Sequence, residues 1–404
     1  MPRRIAAFAA ILITVGTGAL TIVPSSEARA PAVTPAGPAR ARMVAAHLTG
    51  VGEAWFFGTS CTAVKRCMAV GQKVTPAGTG TLAEAWAAGR WRVLPTPNPA
   101  AMTDSWLVAV SCSAAAACMA VGSAMSPNAP NAALAEYWNG LRWRLVPLPI
   151  PPGTINSGLF AVWCRARWGC LALGNDLDKA GSNQTLAERW TGSRWLVLPT
   201  TRLPPSFAVD GVTCHGPACM AVGSVTQPRT GDVVPFAERW NGRWQGQSMP
   251  ASPQVKFVNG VAVSCPSTTL CLAVGYSGTT EAVPFADVWT RGRWHLLRLP
   301  ASMPAFTQLN GLSCPAVNEC VAVGGRSNEA VRSAPVALAW NGRAWRMLRV
   351  PGPVRILSQF TGVSCLDPGG WLAVGLIRIG RAQIARTIAE WWNGRVWQPL
   401  RLPA

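Results

Sequence analysis

Apolar runs of four to six residues, broken by Gly, Pro and Asn, recur along the chain. Runs this short predict strands rather than helices. Four are legible between Leu107 and Pro147: Leu107–Cys112, Cys118–Gly122, Leu134–Trp138 and Trp143–Pro147. A tight connection joins the first pair. Asn139-Gly140 joins the last pair, and Asn-Gly, a strong hairpin signal, stands at this place in four copies of the unit. The second run, Cys-Met-Ala-Val-Gly, has no polar alternation, which suits a strand covered on both faces.

The unit repeats. Its first cysteines are Cys61, Cys112, Cys164, Cys214, Cys265, Cys314 and Cys365, spaced by 51, 52, 50, 51, 49 and 51 residues. Each copy continues in outline with a second cysteine (Trp371 in the last), Ala-Val-Gly or a variant, a variable stretch, Ala-Glu-x-Trp or a variant, a turn and a second Trp. Four strands in each of seven copies predict an all-β fold, a seven-bladed β-propeller with four antiparallel strands per blade. An open solenoid is the alternative, but it would want polar terminal copies, and the last copy is as apolar as the others.

Twelve of the 13 cysteines fall into local pairs: Cys61 with Cys67, Cys112 with Cys118, Cys164 with Cys170, Cys214 with Cys219, Cys265 with Cys271 and Cys314 with Cys320. Flanking a short hairpin, each pair can face across adjacent strands at bridging distance, which predicts six disulfides inside blades. Cys365 has Trp371 in its partner's place and is expected to be a buried free thiol, with an intermolecular bridge as the alternative. The spacing is too wide for zinc pairs and no histidine accompanies them, so neither metal nor cofactor is expected.

Arg3 and Arg4 precede an apolar run from Ile5 to Val23, and Ala28-Arg29-Ala30 offers a cleavage site. Residues 1–30 therefore read as an export signal, or as an anchor if retained. Residues 31–46 read as a Pro/Ala-rich tether and 47–404 as the propeller. Export agrees with the disulfides, so a secreted or envelope-associated protein is expected. Net charge is +19, and +17 without residues 1–30. Part of that charge repeats: Arg90, Arg142, Arg194, Arg243, Arg293, Arg343 and Arg395 fall at the last hairpin of each copy. Seven guanidiniums on one face could bind an anionic polymer, or pair with the repeated acids Glu84, Glu136, Glu188, Glu238, Asp287 and Glu390; pairing is the favoured reading. The acid's place in the sixth copy is Leu338.

The Trp-Leu-Ala-Val-Gly strand beginning at Trp371 and the Trp-Asn-Gly-x-x-Trp hairpins resemble the BNR or Asp-box propellers. That superfamily includes sialidases and the seven-bladed assembly factor of photosystem II. The Asp-box pattern S-x-D-x-G-x-x-W is met in part: in Glu136-Tyr137-Trp138-Asn139-Gly140-Leu141-Arg142-Trp143 the Gly and final Trp match, while Glu and Trp take the Ser and Asp places. The resemblance implies the blade plan. It transfers no active site and no partner.

Catalytic machinery is thin. His47, His215 and His295 occupy non-equivalent places, and no nucleophile elbow, phosphate loop or zinc motif is present. Tyr276 is the one tyrosine outside a repeat position, and no acid is demonstrably near it. The fourteen motif tryptophans, from Trp86 and Trp91 to Trp392 and Trp397, are expected to pack across hairpins and between blades. A non-catalytic binding or scaffold propeller is thus expected, using the face of its variable loops. The alternatives are a sialidase-like carbohydrate hydrolase and adhesion to anionic envelope polymers through the basic face. The partner is an unidentified protein or envelope polymer. Nucleic acid is not expected, membrane contact only through a retained N-terminus, and the state is monomeric.

Overall fold

The computed structural model describes residues 52–403, apart from 128, 168, 201–203, 205, 251–255, 280, 305, 328–332, 352–356, 368–369 and 380–383. The signal segment 1–30, the tether 31–46 and His47 lie outside the described residues. Twenty-eight strands and no helix are found among those described. They form seven consecutive antiparallel units of four strands, each running in chain order. Blade 1 comprises Ala54–Ala63, Arg66–Thr75, Gly78–Ala87 and Arg90–Leu94. Blade 2 comprises Asp104–Ala114, Ala117–Ser126, Ala129–Trp138 and Trp143–Leu145. A single parallel bridge, Thr79 to Asp104, joins these two blades at one edge.

The first strands of successive blades meet in a closed cycle. That of blade 1 touches the first strands of both blade 2 and blade 7, Ser358–Asp367. The seven first strands therefore surround a central channel, and the fold is a seven-bladed propeller rather than a solenoid. Pairing runs beyond the apolar stretches, from Asp104 to Ala114 where the apolar pattern gives Leu107–Cys112, because ladder hydrogen bonds do not depend on apolar side chains. Antiparallel order places the two hairpin turns of every blade on one face. The second-to-third connections and the links between blades emerge on the other, here called the loop face.

Each residue of the repeated Ser-Cys … Cys-x-Ala-Val-Gly motif has its own task. The cysteines form six bridges across the first hairpin, with Cα atoms 3.9–4.1 Å apart. In blades 1 to 4 the partners are directly opposite in the ladder: Cys61 faces Cys67, Cys112 faces Cys118, Cys164 faces Cys170 and Cys214 faces Cys219. In blades 5 and 6 the register shifts beside the bridge, yet Cys265 still joins Cys271 and Cys314 still joins Cys320. In blade 7 Cys365 faces Trp371 at the same ladder position.

The serine before the first cysteine reaches the next blade. Ser60 Oγ accepts the Cys112 N–H at 3.0 Å, Ser111 that of Cys164 at 2.9 Å, and Ser264 and Ser313 those of Cys314 and Cys365 at 3.0 Å. Ser364 accepts from Cys61 at 3.0 Å and so joins blade 7 to blade 1. Ala69-Val70 and their equivalents are fully buried between neighbouring blades.

The glycine has a steric role. An ideal Cβ on Gly71, Gly122, Gly174, Gly223, Gly324 or Gly375 would lie 1.8–2.0 Å from a first-strand carbonyl oxygen. Opposite it the first strand is bulged: the register skips Phe57, Val108, Phe160, Asp210, Asn310 and Thr361 in blades 1, 2, 3, 4, 6 and 7. A bulge needs a partner strand without a side chain at that point, and it re-aims the extra residue.

The motif tryptophans face each other across the last hairpin, Trp86 with Trp91 and Trp138 with Trp143 among them. Their rings fill the space between blades. The Trp86/Trp91 pair, for example, packs with Leu372, Val374 and Trp391 of blade 7.

Candidate functional site

The loop-face mouth of the channel is where the blades stop being alike. Residues five places before the first cysteine, such as Phe56, Leu107, Leu159, Val209, Leu309 and Phe360, are buried between blades in every copy but the fifth. The bulged residue that follows leaves the interface and turns toward the inner strand of the next blade. Three hydrogen bonds show that direction: Asp210 Oδ2 accepts the Val261 N–H at 3.2 Å, Asn310 Nδ2 donates to the Phe360 carbonyl at 2.9 Å, and the Thr361 hydroxyl donates to the Phe56 carbonyl at 2.8 Å. One pleat nearer the loop face, six places before the cysteine, stand Trp55, Trp106, Gly158, Ala208, Asn259, Gln308 and Gln359.

The two tiers divide the mouth. Blades 1 to 3 present Trp55, Phe57, Trp106, Val108 and Phe160, which remain part-exposed and belong to none of the buried interface clusters. Trp55 and Phe57 meet edge to face at 6.5 Å. Blades 4 to 7 present Asp210, Asn259, Gln308, Asn310, Gln359 and Thr361. Aromatic surface thus faces an arc of amides, one hydroxyl and one carboxylate.

Blade 5 departs furthest from the repeat. Its register skips both Gly260 and Val261. Gly260 has φ +66°, and a Cβ there would meet Tyr276 Cε1 at 3.1 Å, the Leu309 carbonyl at 3.2 Å and Asn310 Oδ1 at 3.5 Å. A left-handed glycine is required for the Tyr276 ring to lie over this backbone beside Asn310. Asp210 is open to water in the channel yet walled round by protein, and burial pushes its carboxyl up to about 7 against the Val261 N–H. Burial and then the Asp210 charge push the Tyr276 hydroxyl up. The structure therefore brings an acid to Tyr276 from 66 positions away in sequence.

The repeated acids and arginines do not pair, which corrects the favoured reading of the sequence. Glu84, Glu136, Glu188, Glu238, Asp287 and Glu390 lie in third strands, buried at blade interfaces. Both oxygens of Glu188, Glu238 and Asp287 lack a hydrogen-bond partner. So do those of Glu136; the Thr81 hydroxyl beside it, which donates to Asn98 Oδ1 at 3.3 Å, lowers its carboxyl by less than burial raises it. Burial pushes Glu84, Glu136, Glu188, Asp287 and Glu390 up to about 8 and Glu238 up to about 7. Leu338, wholly buried, fills this place between blades 5 and 6.

Arg90, Arg142, Arg194, Arg243, Arg293, Arg343 and Arg395 are instead exposed at the tips of the last hairpins. The turn holds the backbone there: Asn139, Asn341 and Asn393 accept the N–H groups of Arg142, Arg343 and Arg395 at 2.9–3.0 Å. An ion pair joins Lys256 to Asp232, away from these hairpins.

The paired cysteines take no part in the mouth. Each bridge closes the end of its first hairpin on the face opposite the loops, and the second cysteines Cys67, Cys118, Cys170, Cys219, Cys271 and Cys320 are all buried or nearly so at the starts of second strands. Their role is to hold the blade, not to touch a ligand. Cys365 is a buried free thiol, held well above the usual thiol range by burial first. No group of three or more His, Cys, Asp or Glu able to hold a metal occurs among the described residues, nor any helix long and apolar enough to cross a membrane.

Sequence reasoning missed the channel mouth. Its signal was available in the columns four and six places before the first cysteine, where blades 1 to 3 read Trp, Phe and Val with Gly158, and blades 4 to 7 read Asp, Asn, Gln and Thr with Ala208 and Val261 among them.

The sequence matches no protein-family model and no curated protein. Solved structures are similar over most of the chain. A YCF48 protein bound to a D1 peptide shares 13% identity at a TM-score of 0.51, covering 86% of this chain and 93% of that one. A PL25 ulvan lyase shares 6% at 0.55, covering 87% and 97%. The propeller domain of the trilobed protease from Pyrococcus furiosus shares 8% at 0.51, covering 87% and 97%. At such identities the likeness establishes architecture alone, and the chain is a β-propeller.

Proposed function

We propose that the protein is a secreted, non-catalytic binding propeller whose ligand docks on the loop face, at the mouth of the central channel. The observation that carries this reading is the breakdown of the repeat at that mouth, where side chains differ from blade to blade while the framework around them does not. Residues 1–30 and the six disulfides support export. The blade order and hairpin tryptophans support kinship with the Asp-box propellers. Structures sharing this architecture include one bound to a peptide and one bound to a sulfated disaccharide repeat, so the frame suits either kind of ligand.

Catalysis by Tyr276 is the less favoured alternative. Its hydroxyl is pushed toward the protonated form, and Asp210 already accepts the Val261 N–H. A sialidase-like nucleophile would want the opposite shift.

The test is retention of envelope components from the exporting cell by the wild type and by a Trp55→Ala/Gln359→Ala variant, run beside a hydrolysis screen. Retention lost in the variant with a blank screen is expected. Retention unchanged in the variant, or turnover that Tyr276→Phe abolishes, refutes the reading. A second reading rests on the arginines, which are exposed and form no ion pair among the described residues. Adhesion of the hairpin face to an anionic polymer would weaken steeply with salt.

A further inference from the structure

We infer that the channel mouth is a saccharide site for an uncharged oligosaccharide. A sugar ring stacks on the Trp55/Trp106 side while its hydroxyls meet Asn259, Gln308 and Asp210 across the channel. The inference rests on the loop-face reading above and names its ligand class.

A pyranose has two kinds of surface: a face of C–H groups that prefers an aromatic ring, and a rim of hydroxyls that both donate and accept. The mouth has the same two kinds, on opposite sides. Trp55 and Trp106 come from adjacent blades at the same height, and they lie outside the buried clusters that hold the motif tryptophans. Trp138, Trp163 and Trp240 are part-exposed too, but they pack against the interface clusters, whereas Trp55 and Trp106 do not, so interface packing does not account for these two rings. Asn259 and Gln308 occupy that same height on the far side, and primary amides match hydroxyls because they offer both donors and acceptors.

Asp210 selects further. It is the acid among these bulged residues, its Oδ2 is engaged by the Val261 N–H, and once ionised, at mildly alkaline pH, it accepts from donors but repels acidic sugars. A peptide would use aromatic surface as well, but it gives no reason for an arc of amides in three consecutive blades, 5 to 7. The left-handed Gly260 adds the second half of the case. The backbone adopts a conformation suited to glycine where Tyr276, Asn310 and the Asp210-bound Val261 N–H come together. Such geometry is kept where a surface must be shaped for something.

The experiment measures binding of maltotriose, cellotriose, xylotriose, mannotriose and chitotriose to the full mature chain by calorimetry and tryptophan fluorescence, with oligogalacturonate as the acidic control. At least one neutral trisaccharide is expected to bind, and oligogalacturonate to bind weakly or not at all. Trp55→Ala or Trp106→Ala is expected to weaken the neutral sugar roughly tenfold, about the worth of one stacked ring. Asn259→Ala is expected to weaken it several-fold while the unfolding midpoint stays at the wild-type value. Because Trp→Ala can loosen a fold, Trp55→Phe is the rescue variant and should keep most of the affinity.

No binding by any neutral sugar overturns the inference, as does oligogalacturonate binding more tightly. Sugar binding that survives both Trp variants also overturns it. If no sugar binds but envelope retention is still lost in Trp55→Ala/Gln359→Ala, the saccharide assignment fails while the loop-face reading stands. If both fail, the reading beneath it fails too.

Discussion

Replacing Glu136 with Leu tests the blade interfaces directly. Glu136 is wholly buried between blades 1 and 2, its oxygens have no partner, and burial pushes it from 4.5 up to about 8. The sign follows from proton counts. Below pH 4.5 both folded and unfolded chains hold the proton and stability does not depend on this group. Between 4.5 and 8 the unfolded chain has released it and the folded chain has not, so unfolding becomes easier as pH rises. Each pH unit in that window removes about 1.4 kcal/mol per carboxyl, and the whole window about 5 kcal/mol as a ceiling. Leu338 occupies the equivalent place between blades 5 and 6, so the interface accepts a leucine without rearrangement. Glu136→Leu is therefore expected to flatten the pH dependence by about 1.4 kcal/mol per unit and to be the more stable protein at the alkaline end. The assay is guanidinium unfolding followed by tryptophan fluorescence, disulfides intact, from about pH 5 to 8. Leu338→Glu should steepen the same slope. A variant with the wild-type slope, or one less stable at the alkaline end, would refute the account of the buried acids.

Other outcomes follow from the same frame. Cys112→Ala/Cys118→Ala opens a short loop, so it should cost about 2.4 kcal/mol in the chain-entropy account, read from the same denaturation curves. Gly122→Ala places a methyl 1.9 Å from the Trp106 carbonyl oxygen and should cost about 3 kcal/mol; an unchanged midpoint would show that the bulge is not required. Cys365 should resist iodoacetamide at mild alkaline pH in the native protein and react fully after unfolding, since only an accessible thiolate is alkylated.

The wheel was legible because its cause is local and repeated. Cysteine spacing, Asn-Gly turns and short apolar runs each report on a few neighbouring residues, and seven copies average away the noise. The pairing of acids with arginines was misread because both recur once per unit, which periodicity cannot distinguish from contact. Glu84 faces Val93 across the last hairpin, while Arg90 sits at the hairpin's exposed tip. The approach of Asp210 to Tyr276 was invisible for a different reason. It depends on a bulge in one blade and a left-handed glycine in the next, and neither leaves a periodic trace. The serine before the first cysteine gave no reading in the sequence, because its hydrogen bond crosses to the neighbouring blade and only the closed ring explains it.

Closure also bears on why the inner strands vary where they do. Each described blade, the first and last included, is completed by four strands consecutive in the chain, so no strand is exchanged where the ring shuts. That junction must hold through side chains, and it does so with the parts used elsewhere. Ser364 accepts the Cys61 N–H, Thr361 donates to the Phe56 carbonyl, buried Glu84 occupies the acid position, and Trp86 packs on Trp391 at 4.9 Å. A seam built from repeat contacts constrains every residue that makes them, in blade 1 and blade 7 as much as in the middle of the chain. Side chains that belong to none of the buried interface clusters are freer of that constraint. At the inner strands these are the bulged residue and the residue one pleat above it. The Ala-Val-Gly glycine that makes the bulge possible thus does two things at once: it lets the second strand lie close against the bulged first strand of its own blade, and it releases one side chain per blade toward the channel. A rigid wheel with seven released positions can change its ligand without touching its framework, which is why aromatic and amide residues can alternate there while the stapled hairpins stay alike.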